Sequence, residues 1–319
     1  MDIERTIHNY VEKIPVSALG WLAGKIAKKR DMDMKWPHWK CDAVEDDAES
    51  PFRKDLRKKV FETVMEKAPE MPVRVKSGEG HRYKLVLCDT TSRNMYNSGT
   101  YEPNEMAFLS EHLREGMTFL DIGACFGLYT VWAAAKVGPR GLVAAFEPSP
   151  REFRSLEENV RLNRLGNVRA FNIGISDSRK KCKLRISGLN ESGQNTFGEF
   201  VYPGVTEIDN VLVQLESLDE VADRLGIGKI DVAKIDTEGH EYFVLQGMRK
   251  RLAGDRPVLL LELFDEALRG QGRSAEEVLE LLDQSGYDVL AASEETGDFI
   301  KPKGKLDVSF SRNIAAIPR

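Results

Sequence analysis

Short apolar runs alternate with segments of helical periodicity between residue 116 and about residue 290. Runs of four to six apolar residues are typical of buried strands, whereas apolar positions spaced by three and four predict helices. Because two parallel strands need a crossover connection, this alternation predicts βαβ units and an α/β doubly wound domain. The predicted strands are Met117 to Ile122, Leu142 to Phe146, Val168 to Ile173, Ile230 to Ile235 and Val258 to Leu263, and the predicted helices are Leu128 to Lys136, Pro150 to Leu165, His240 to Leu252 and Ser274 to Gln284.

Two segments depart from this alternation. Strand-like runs from Lys181 to Ile186 and from Val211 to Leu215 flank a stretch rich in Gly, Asn and Ser, which predicts an inserted hairpin or loop at the edge of the sheet. Near the end, Tyr287 to Ala291 and Val308 to Ile317 are strand-like with no helical pattern between them. Such a pair can only run antiparallel across a simple turn, so we expect a mixed sheet.

The first 80 residues have a different pattern and predict a helical extension that ends in the start of a hairpin. Apolar spacing predicts two short helices between Ile3 and Lys29, broken at Pro15, and an amphipathic helix from Pro51 to Lys67. Val73 to Lys76 and Tyr83 to Cys88 predict the hairpin strands. We therefore divide the chain into residues 1–80, the extension, and residues 81–319, the main domain.

Composition narrows the class of protein. The chain has 319 residues, 41% of them hydrophobic, and a net charge of -5, which favours a globular protein and disfavours non-specific binding to nucleic acid. The four cysteines are far apart in sequence, so neither a zinc site nor a disulfide framework is indicated. An acidic N-terminus and the lack of a long apolar run predict a cytoplasmic protein that does not interact with membranes. No pattern indicates an oligomeric state.

The segment from Phe119 to Thr130 is the strongest local signal of a ligand site. An apolar strand ends near Asp121, Gly123 and Gly127 follow, and a helix begins at once. Glycines there allow the backbone to approach a ligand, and the start of the helix offers free N–H groups. The spacing differs from the G-x-G-x-x-G of dinucleotide sites, because Cys125 stands at the middle position, and this opposes NAD or FAD. The alternative is a turn whose glycines serve packing alone.

Glu147 ends the second predicted strand at the distance from the glycine turn that a ribose-binding acid needs. Its two carboxylate oxygens can accept hydrogen bonds from both ribose hydroxyls. A single Glu in this position is usually a solvated loop residue. Together with the glycine turn, however, Glu147 favours the binding of a nucleoside.

These segments resemble the FkbM family of class I S-adenosylmethionine-dependent methyltransferases, over a region from about Tyr101 to Leu290. The string from Lys234 to Glu241 is the specific part of the resemblance, since the glycine turn alone indicates only the superfamily. The matching motifs are Tyr101-Glu102-Pro103, the Asp121 segment, Phe146-Glu147-Pro148, Ile175-Ser176-Asp177, Leu215-Glu216-Ser217-Leu218-Asp219 and Lys234-Ile235-Asp236-Thr237-Glu238-Gly239-His240-Glu241.

The resemblance implies a Rossmann-like, seven-stranded sheet whose last strand is antiparallel, and S-adenosylmethionine as the cofactor. It also implies that Asp177 lies near the adenine amino group. The family usually has Asn where this chain has Cys125. The cofactor-binding residues that follow are Asp121, Gly123, Cys125, Gly127, Glu147 and Asp177.

Methyl transfer requires an aligned acceptor and, for a hydroxyl, removal of its proton. Asp236, Glu238 and His240 follow the fourth parallel strand, at the sheet edge where ligands bind, and are the predicted catalytic residues. His240 has the ordinary pKa of a base, and helix capping or a hydrogen bond to a neighbouring carboxylate is an equally weighted alternative. Asp236 and Glu238 could instead join Glu262 in a divalent-metal site, which we consider the weaker interpretation and do not include in the predicted site.

The predicted reaction is O-methylation of a hydroxyl on a small molecule or glycan. The alternatives are N- or C-methylation by the same fold and a nucleoside-binding module without turnover, with a nicotinamide dehydrogenase disfavoured by the missing glycine. Aromatic side chains could stack on the acceptor, although packing is the commoner role for most of them. The candidates are Tyr96, Tyr101, Trp132, Phe197 and Tyr202.

Overall fold

The computed structural model describes residue 7 and residues 10–27, 50–293 and 295–319. The predicted extension therefore lies partly outside the described residues, including most of the segment before Pro15. Within them, α1 (Val16–Ile26) follows the predicted break at Pro15, and α2 (Pro51–Lys67) occupies the predicted span. The predicted hairpin is confirmed, since β1 (Pro72–Lys76) pairs antiparallel with β2 (Arg82–Val86).

The rest of the chain alternates strands and helices as the sequence predicts. One predicted helix differs, because the segment from His240 to Leu252 is interrupted at Met248, where the backbone leaves helical geometry. The elements are α3 (Thr90–Ser98), α4 (Pro103–His112), β3 (Thr118–Ile122), α5 (Leu128–Val137), β4 (Leu142–Phe146), α6 (Pro150–Asn163), β5 (Val168–Phe171), β6 (Gly174–Ser176), β7 (Lys180–Ser187), a 3-10 helix (Leu189–Gln194), β8 (Glu207–Ser217), α7 (Leu218–Leu225), β9 (Val232–Ile235), α8 (Glu241–Gly247), α9 (Arg249–Gly254), β10 (Val258–Leu263), α10 (Asp265–Arg269), α11 (Ala275–Gln284), β11 (Tyr287–Ala292), β12 (Phe299–Ile300) and β13 (Arg312–Pro318).

The central sheet has the strand order β12-β11-β13-β10-β9-β3-β4-β5. The five strands from β10 to β5 are parallel, and β13 lies antiparallel between β10 and β11, so the predicted mixed, mostly parallel sheet is confirmed. Two details differ from the sequence analysis. The short β12 adds an eighth strand at the edge of β11, and β13 begins at Arg312 rather than Val308, because its partner β10 ends opposite that residue.

Both faces of this sheet are covered. Side chains alternate across it, so that Phe119 joins one buried cluster and its neighbour Leu120 joins the other. The first cluster includes Trp132 of α5 together with Leu19 of α1 and Val60 of α2. The N-terminal helices therefore share a hydrophobic core with the main sheet, and the division at residue 80 stays a prediction.

The predicted insertion forms a small sheet of its own. β7 and β8 pair antiparallel and enclose the 3-10 helix, and β8 also pairs parallel with β6. Within the described part of the chain, every helix is too short or too polar to pass through a bilayer.

The strand order places a binding crevice at one edge. From β3 the chain proceeds through β4 to β5 on one side, and then returns to β9 and β10 on the other. In open α/β sheets such a reversal leaves a crevice at the carboxyl ends of the strands, where ligands bind.

Candidate functional site

A cavity of about 740 Å³ occupies that crevice. This volume lies within the range of roughly 300–1,000 Å³ that is usual for small-molecule sites. Its wall is formed by the carboxyl ends of β3, β4, β9 and β10, by α3 and the start of α4, by the 3-10 helix and by the start of β13. The cavity therefore lies where both the glycine turn and the predicted acids meet.

Gly123 opens the turn after β3 and lines the cavity. Its φ is +83°, and a Cβ atom there would lie 1.7 Å from the carbonyl oxygen of Asp236, so no other residue fits this turn. Gly127 also has a left-handed φ, +86°, but its place is against Leu156 of α6, and it is not part of the cavity wall. The first glycine thus shapes the site, and the second sets the packing of the helix that follows.

The carboxylate of Glu147 lies in the wall beside this turn. Its Oε2 accepts a 2.8 Å hydrogen bond from the backbone N–H of Cys125, and its Oε1 accepts one of 2.8 Å from that of Ser149. Burial raises the pKa of Glu147 to about 8, and the nearby carboxylate of Glu152 adds to this effect. A carboxylate has four acceptor positions, so two backbone bonds leave room for ligand hydroxyls.

Cys125 lines the cavity through the same turn, with a left-handed φ of +48°. Burial raises the pKa of its thiol well above the usual range, and the carboxylates of Glu152 and Glu147 raise it further. A thiol that stays protonated is a poor nucleophile. The contribution of Cys125 is therefore its backbone N–H, which orients Glu147.

Asp121 is almost fully buried at the end of β3 and lines the cavity. Its Oδ2 accepts a hydrogen bond of 2.5 Å from the hydroxyl of Thr130 in α5. Burial raises the pKa of Asp121, and the ammonium of Lys234 opposes that shift. This carboxyl group is thus held rigidly between the sheet and the helix.

Lys234 lies within β9 and points its ammonium group towards the cavity. Its Nζ lies 2.6 Å from Oδ2 of Asp236 and 4.5 Å from the ring centroid of Tyr129. Burial would lower the pKa of this lysine, but the carboxylates of Asp236 and Glu102 raise it above its ordinary value. Lys234 therefore stays charged and pairs with Asp236, one of the strand-end acids.

The loop after β9 is held by Glu241. Its Oε1 accepts hydrogen bonds from the backbone N–H groups of Thr237 and Gly239, at 2.9 and 3.2 Å, and from the Thr237 hydroxyl at 2.8 Å. These bonds fix the turn that carries Glu238, whose φ of +50° is left-handed. The loop thus holds Asp236 and Glu238 at the cavity wall.

Asp236, Glu238 and Glu262 form a cluster of carboxylates at this end of the cavity, with one oxygen from each within 4.8 Å of the others. Burial and the charge of Asp236 raise the pKa of Glu262 to about 8, and burial and Glu262 raise that of Glu238 well above its ordinary value. Glu262 accepts hydrogen bonds from Tyr202, at 3.2 Å, and from Ser311. Hard oxygen ligands of this kind can hold a divalent cation, and they can equally accept hydrogen bonds from hydroxyl groups.

His240 lies behind this loop and is not part of the cavity wall. Its Nδ1 is 2.6 Å from Oε1 of Gln271 and its Nε2 is 2.9 Å from Oγ of Ser176, which fits a ring that carries its proton on Nδ1. Burial lowers the pKa of His240 to about 4. The imidazole is therefore neutral near pH 7, and both nitrogens are already used.

The structure brings together six of the nine residues in the predicted site. Asp177 joins His240 and Gly127 outside the wall, and its carboxylate is paired with Lys180 at 2.7 Å. Of the aromatic candidates, Tyr96 and Trp132 are buried in the core, whereas Tyr101, Phe197 and Tyr202 line the cavity. The six residues in the wall are Asp121, Gly123, Cys125, Glu147, Asp236 and Glu238.

Sequence reasoning assigned no role to several residues of the wall. α3 presents Thr91, Asn94 and Ser98 to the cavity, and their spacing of three and four was a readable signal of a polar helix face. Glu102 was visible within the Tyr101-Glu102-Pro103 motif. Asn313 of β13 could not be assigned, because nothing near it in sequence shows that this strand enters the middle of the sheet.

Comparison with known proteins assigns residues 121–289 to the methyltransferase FkbM domain. The chain is 28% identical over 202 residues to the AMB antimetabolite synthetase AmbE of Pseudomonas aeruginosa, a match that covers 53% of this chain and 9% of AmbE. It is also 28% identical to methyltransferase sdnD of Sordaria araneosa, covering 40% of this chain and 59% of sdnD.

A third relative is the hexuronic acid methyltransferase AglP of Haloferax volcanii, 28% identical over 47% of this chain and 58% of AglP. The chain thus spans less than two thirds of each of these relatives. Among solved structures, a methyltransferase FkbM from Methylobacillus flagellatus superposes with a TM-score of 0.40 at 13% identity, covering 72% of this chain and 55% of that one.

Proposed function

The chain belongs to the FkbM family of methyltransferases, and on that premise we propose that it transfers a methyl group from S-adenosylmethionine to a hydroxyl group of a small molecule or sugar. The observation that carries this proposal is the position of Glu147 in the cavity wall beside Gly123, with its carboxylate oriented by the backbone of the glycine turn. A nucleoside needs such a partner for its ribose hydroxyls and a close backbone approach beside it.

The residues of the cavity wall suit this cofactor. Glu147 would hold the ribose, Gly123 leaves room at the turn, and Asp121 lies at the end of the neighbouring strand β3. Bound S-adenosylmethionine supplies a methyl group already activated on a positively charged sulfonium. The protein then has to orient the acceptor and exclude water, a proximity effect worth roughly 7 kcal/mol or more.

We assign the acceptor hydroxyl to the end of the cavity that holds Asp236, Glu238 and Glu262. Asp236 belongs to this cluster, and its Oδ2 lies 2.6 Å from the ammonium of Lys234, so we assign it as the acceptor for the hydroxyl proton. Glu238 and Glu262 would orient the acceptor through further hydrogen bonds. The sugar substrate named for AglP supports a hydroxyl-rich acceptor of this kind.

His240 is better assigned as a positioning residue than as the base. It joins the start of α8 to Ser176 of β6 and to Gln271, and through these contacts it fixes the loop that carries Asp236 and Glu238. A base would need a free nitrogen within hydrogen-bond reach of the acceptor. For His240, substitution should therefore alter stability more than the chemical step.

Two measurements test the proposal. S-adenosylhomocysteine at 100 times its dissociation constant should stabilise the protein by about 2.7 kcal/mol, seen as a rise in Tm. Incubation of the protein with S-adenosylmethionine and a panel of sugars and small alcohols should release S-adenosylhomocysteine and add one methyl group to an acceptor. Lack of any Tm shift at millimolar cofactor would overturn the proposal, and so would methylation confined to amines or carbon atoms.

Asp236→Asn provides the matched test of the proton acceptor. This change keeps the size of the side chain but removes its charge, so turnover should fall about 10²- to 10⁴-fold while cofactor binding is retained. Glu276→Gln serves as the control, because Glu276 is an exposed carboxylate whose only partner in the described structure is the exposed Lys305. Equal turnover in Asp236→Asn and in the wild type would remove Asp236 from this role.

A further inference from the structure

Glu102 has an unusual backbone conformation at the cavity wall. It precedes α4 with a left-handed φ of +47°, and its side chain makes no capping bond to that helix. A residue other than glycine in this region of φ and ψ costs about 1–3 kcal/mol, and such residues cluster at ligand sites.

The carboxylate is held on both sides by residues of two other elements. Tyr129 of α5 donates a hydrogen bond of 2.6 Å to Oε2, and Asn313 of β13 donates one of 3.1 Å to Oε1. Tyr129 is itself fixed by the ammonium of Lys234, which lies 4.5 Å from its ring centroid. Glu102 is thus aimed into the cavity by a rigid frame, with lone pairs left for a ligand.

The position of Glu102 relative to the ends of β4 and β9 is also defined. Glu147 directly follows β4. The charges that act most strongly on Glu102 are those of Lys234 and Asp236, which lie at the end of β9. These strands are separated by β3 alone, so about 10 Å divide the two ends of this part of the cavity. A nucleoside held by Glu147 would reach Glu102 only through a substituent that spans this distance.

The charges at this end are unbalanced. Burial raises the pKa of Glu102, with Lys234 opposing the shift, and burial and Glu102 together raise the pKa of Glu105 to about 7. Asn313 lies between these two carboxyl groups, and Asp236, which is paired with Lys234, adds a third acid. A second cation entering here would relieve the repulsion.

We propose that Glu102 binds the α-ammonium group of the methionyl arm of the cofactor, with Tyr129 and Asn313 as its positioning residues. This assignment rests on the proposed function and extends it, because it names the residues that would hold the amino acid arm of the cofactor. It makes Glu102 the residue that distinguishes a complete cofactor from its nucleoside part.

The test compares two ligands that share the adenosine group. S-adenosylhomocysteine carries the amino acid arm, and 5′-methylthioadenosine lacks it, so the difference between them reports this end of the cavity alone. Calorimetric titration of Glu102→Gln should show a loss of about 10- to 100-fold in affinity for S-adenosylhomocysteine, since a charge-assisted hydrogen bond is lost. The affinity for 5′-methylthioadenosine should stay within twofold of the wild type.

Two further variants make the result specific. Tyr129→Phe keeps the ring beside Lys234 but removes the hydroxyl that orients Glu102, so it should weaken S-adenosylhomocysteine by a smaller factor and leave 5′-methylthioadenosine unchanged. If Glu102→Gln does not fold, the affinities of Tyr129→Phe for the two ligands can be compared instead. Glu158→Gln removes a carboxylate outside the cavity wall, paired with Lys84, and should change neither affinity.

Different results would contradict the assignment of Glu102 and the proposed function. Equal losses for both ligands, or no loss for either, would overturn the assignment of Glu102 and leave the proposed function standing. If the wild-type protein bound neither ligand, the proposed function would fail and this assignment with it.

Discussion

At the scale of single residues, Gly123 and Gly127 occupy the same turn for different reasons. A Cβ at Gly123 would meet backbone, 1.7 Å from the carbonyl oxygen of Asp236, whereas at Gly127 it would meet the end of the Leu156 side chain at 2.5 Å. A backbone atom cannot move without shifting β9, but a leucine methyl group can. The two positions should therefore tolerate substitution differently, although both have a left-handed φ.

We expect Gly123→Ala to lower the free energy of unfolding by roughly 2–5 kcal/mol, from left-handed strain and the steric clash together. Gly127→Ala should cost less, and Gly166→Ala, which has no neighbour within 4 Å, should be nearly neutral. Urea denaturation of the three variants measures this order. A Gly123→Ala variant as stable as Gly166→Ala would contradict the packing described for the turn.

His240 gives a prediction about pH. Its pKa in the folded protein is lowered to about 4 from an ordinary value of 6.5, so between these values the unfolded chain binds more protons than the folded one. Stability should therefore fall as the pH is lowered from about 6.5 towards 4. In His240→Gln this part of the pH dependence should disappear, as measured by urea unfolding at pH 7 and pH 5.

The same variant separates positioning from catalysis. At pH 7, His240→Gln should cost about 1–3 kcal/mol of stability, because its partners Ser176 and Gln271 lose geometry that only the imidazole supplies. The pH profile of kcat/KM should keep its shape. Loss of the acidic limb, which is the fall in kcat/KM at low pH as a base becomes protonated, would instead restore His240 as the base.

His240 also shows what a sequence can reveal about a site. The strand-end pattern correctly placed Asp236 and Glu238 at the cavity, because residues that directly follow a parallel strand remain at its edge. The turn at Gly239, with a φ of +95°, then carries the chain behind the wall before His240 is reached. The direction of the chain after Gly239 depends on the packing of this glycine against Ala267 of α10. The closeness of His240 to Glu238 in sequence therefore could not show that its side chain lies behind the wall.

At the scale of elements, the 3-10 helix covers part of the cavity and is attached to α3. Ser192 donates a hydrogen bond of 2.7 Å to Asp89, and Thr90 donates one of 2.9 Å to Glu191. Asp89 also caps α3 through the backbone N–H of Ser92. We therefore expect the 3-10 helix to separate from α3 when a bound cofactor is released.

Ser192→Ala removes one of these attachments and leaves the cap of α3 intact. We expect S-adenosylhomocysteine to dissociate roughly two- to tenfold faster, since one hydrogen bond contributes about 0.5–1.5 kcal/mol. Stopped-flow displacement measures this rate. Ser178→Ala, which removes a hydroxyl outside the cavity wall, is the control, and equal dissociation rates in the two variants would argue that the segment does not gate the site.

The carboxylates at the ends of β9 and β10 allow a prediction about whether turnover depends on a metal ion. Asp236 is paired with Lys234, and Glu262 accepts from Tyr202 and Ser311, so a cation would have to compete with donors already in place. We therefore expect turnover to be unchanged, within about twofold, after dialysis against a chelator. Loss of activity that magnesium or manganese restores would instead assign the three carboxylates to a metal centre.

The elements themselves were largely readable from the sequence. Alternation of apolar runs gave the parallel strands, and the absence of a helix between β11 and β13 gave their antiparallel pairing. The edge strand β12 was missed because two residues carry no periodicity. The division of the predicted helix at Met248 was missed because it arises from tertiary packing, where Gly247 approaches the backbone of Ser176.

At the scale of the whole molecule, the cavity collects far more acids than bases. Its wall includes Glu147 and Glu262, whose pKa values burial raises to about 8, and opposes them with few cations such as Lys234 and Arg312. A positively charged ligand favours the ionised form of such groups, so its binding should release protons. A neutral analogue should release fewer.

We therefore expect S-adenosylmethionine to bind more tightly as the pH rises from 6 to 8, and S-adenosylhomocysteine, which lacks the sulfonium charge, to show a weaker dependence. Calorimetry in two buffers of different ionisation enthalpy counts the protons released. The same dependence for both ligands would show that the acids near the sulfur position do not respond to its charge.

The interior position of β13 has a consequence for synthesis on the ribosome. β10 and β11 are translated first, yet each depends on residues 312–318 for its neighbour. Until those residues leave the exit tunnel, two strand edges stay open to pairing with other chains, a situation that invites aggregation. Asn313 arrives with the same strand, so a nascent chain can neither close its sheet nor complete its ligand site early.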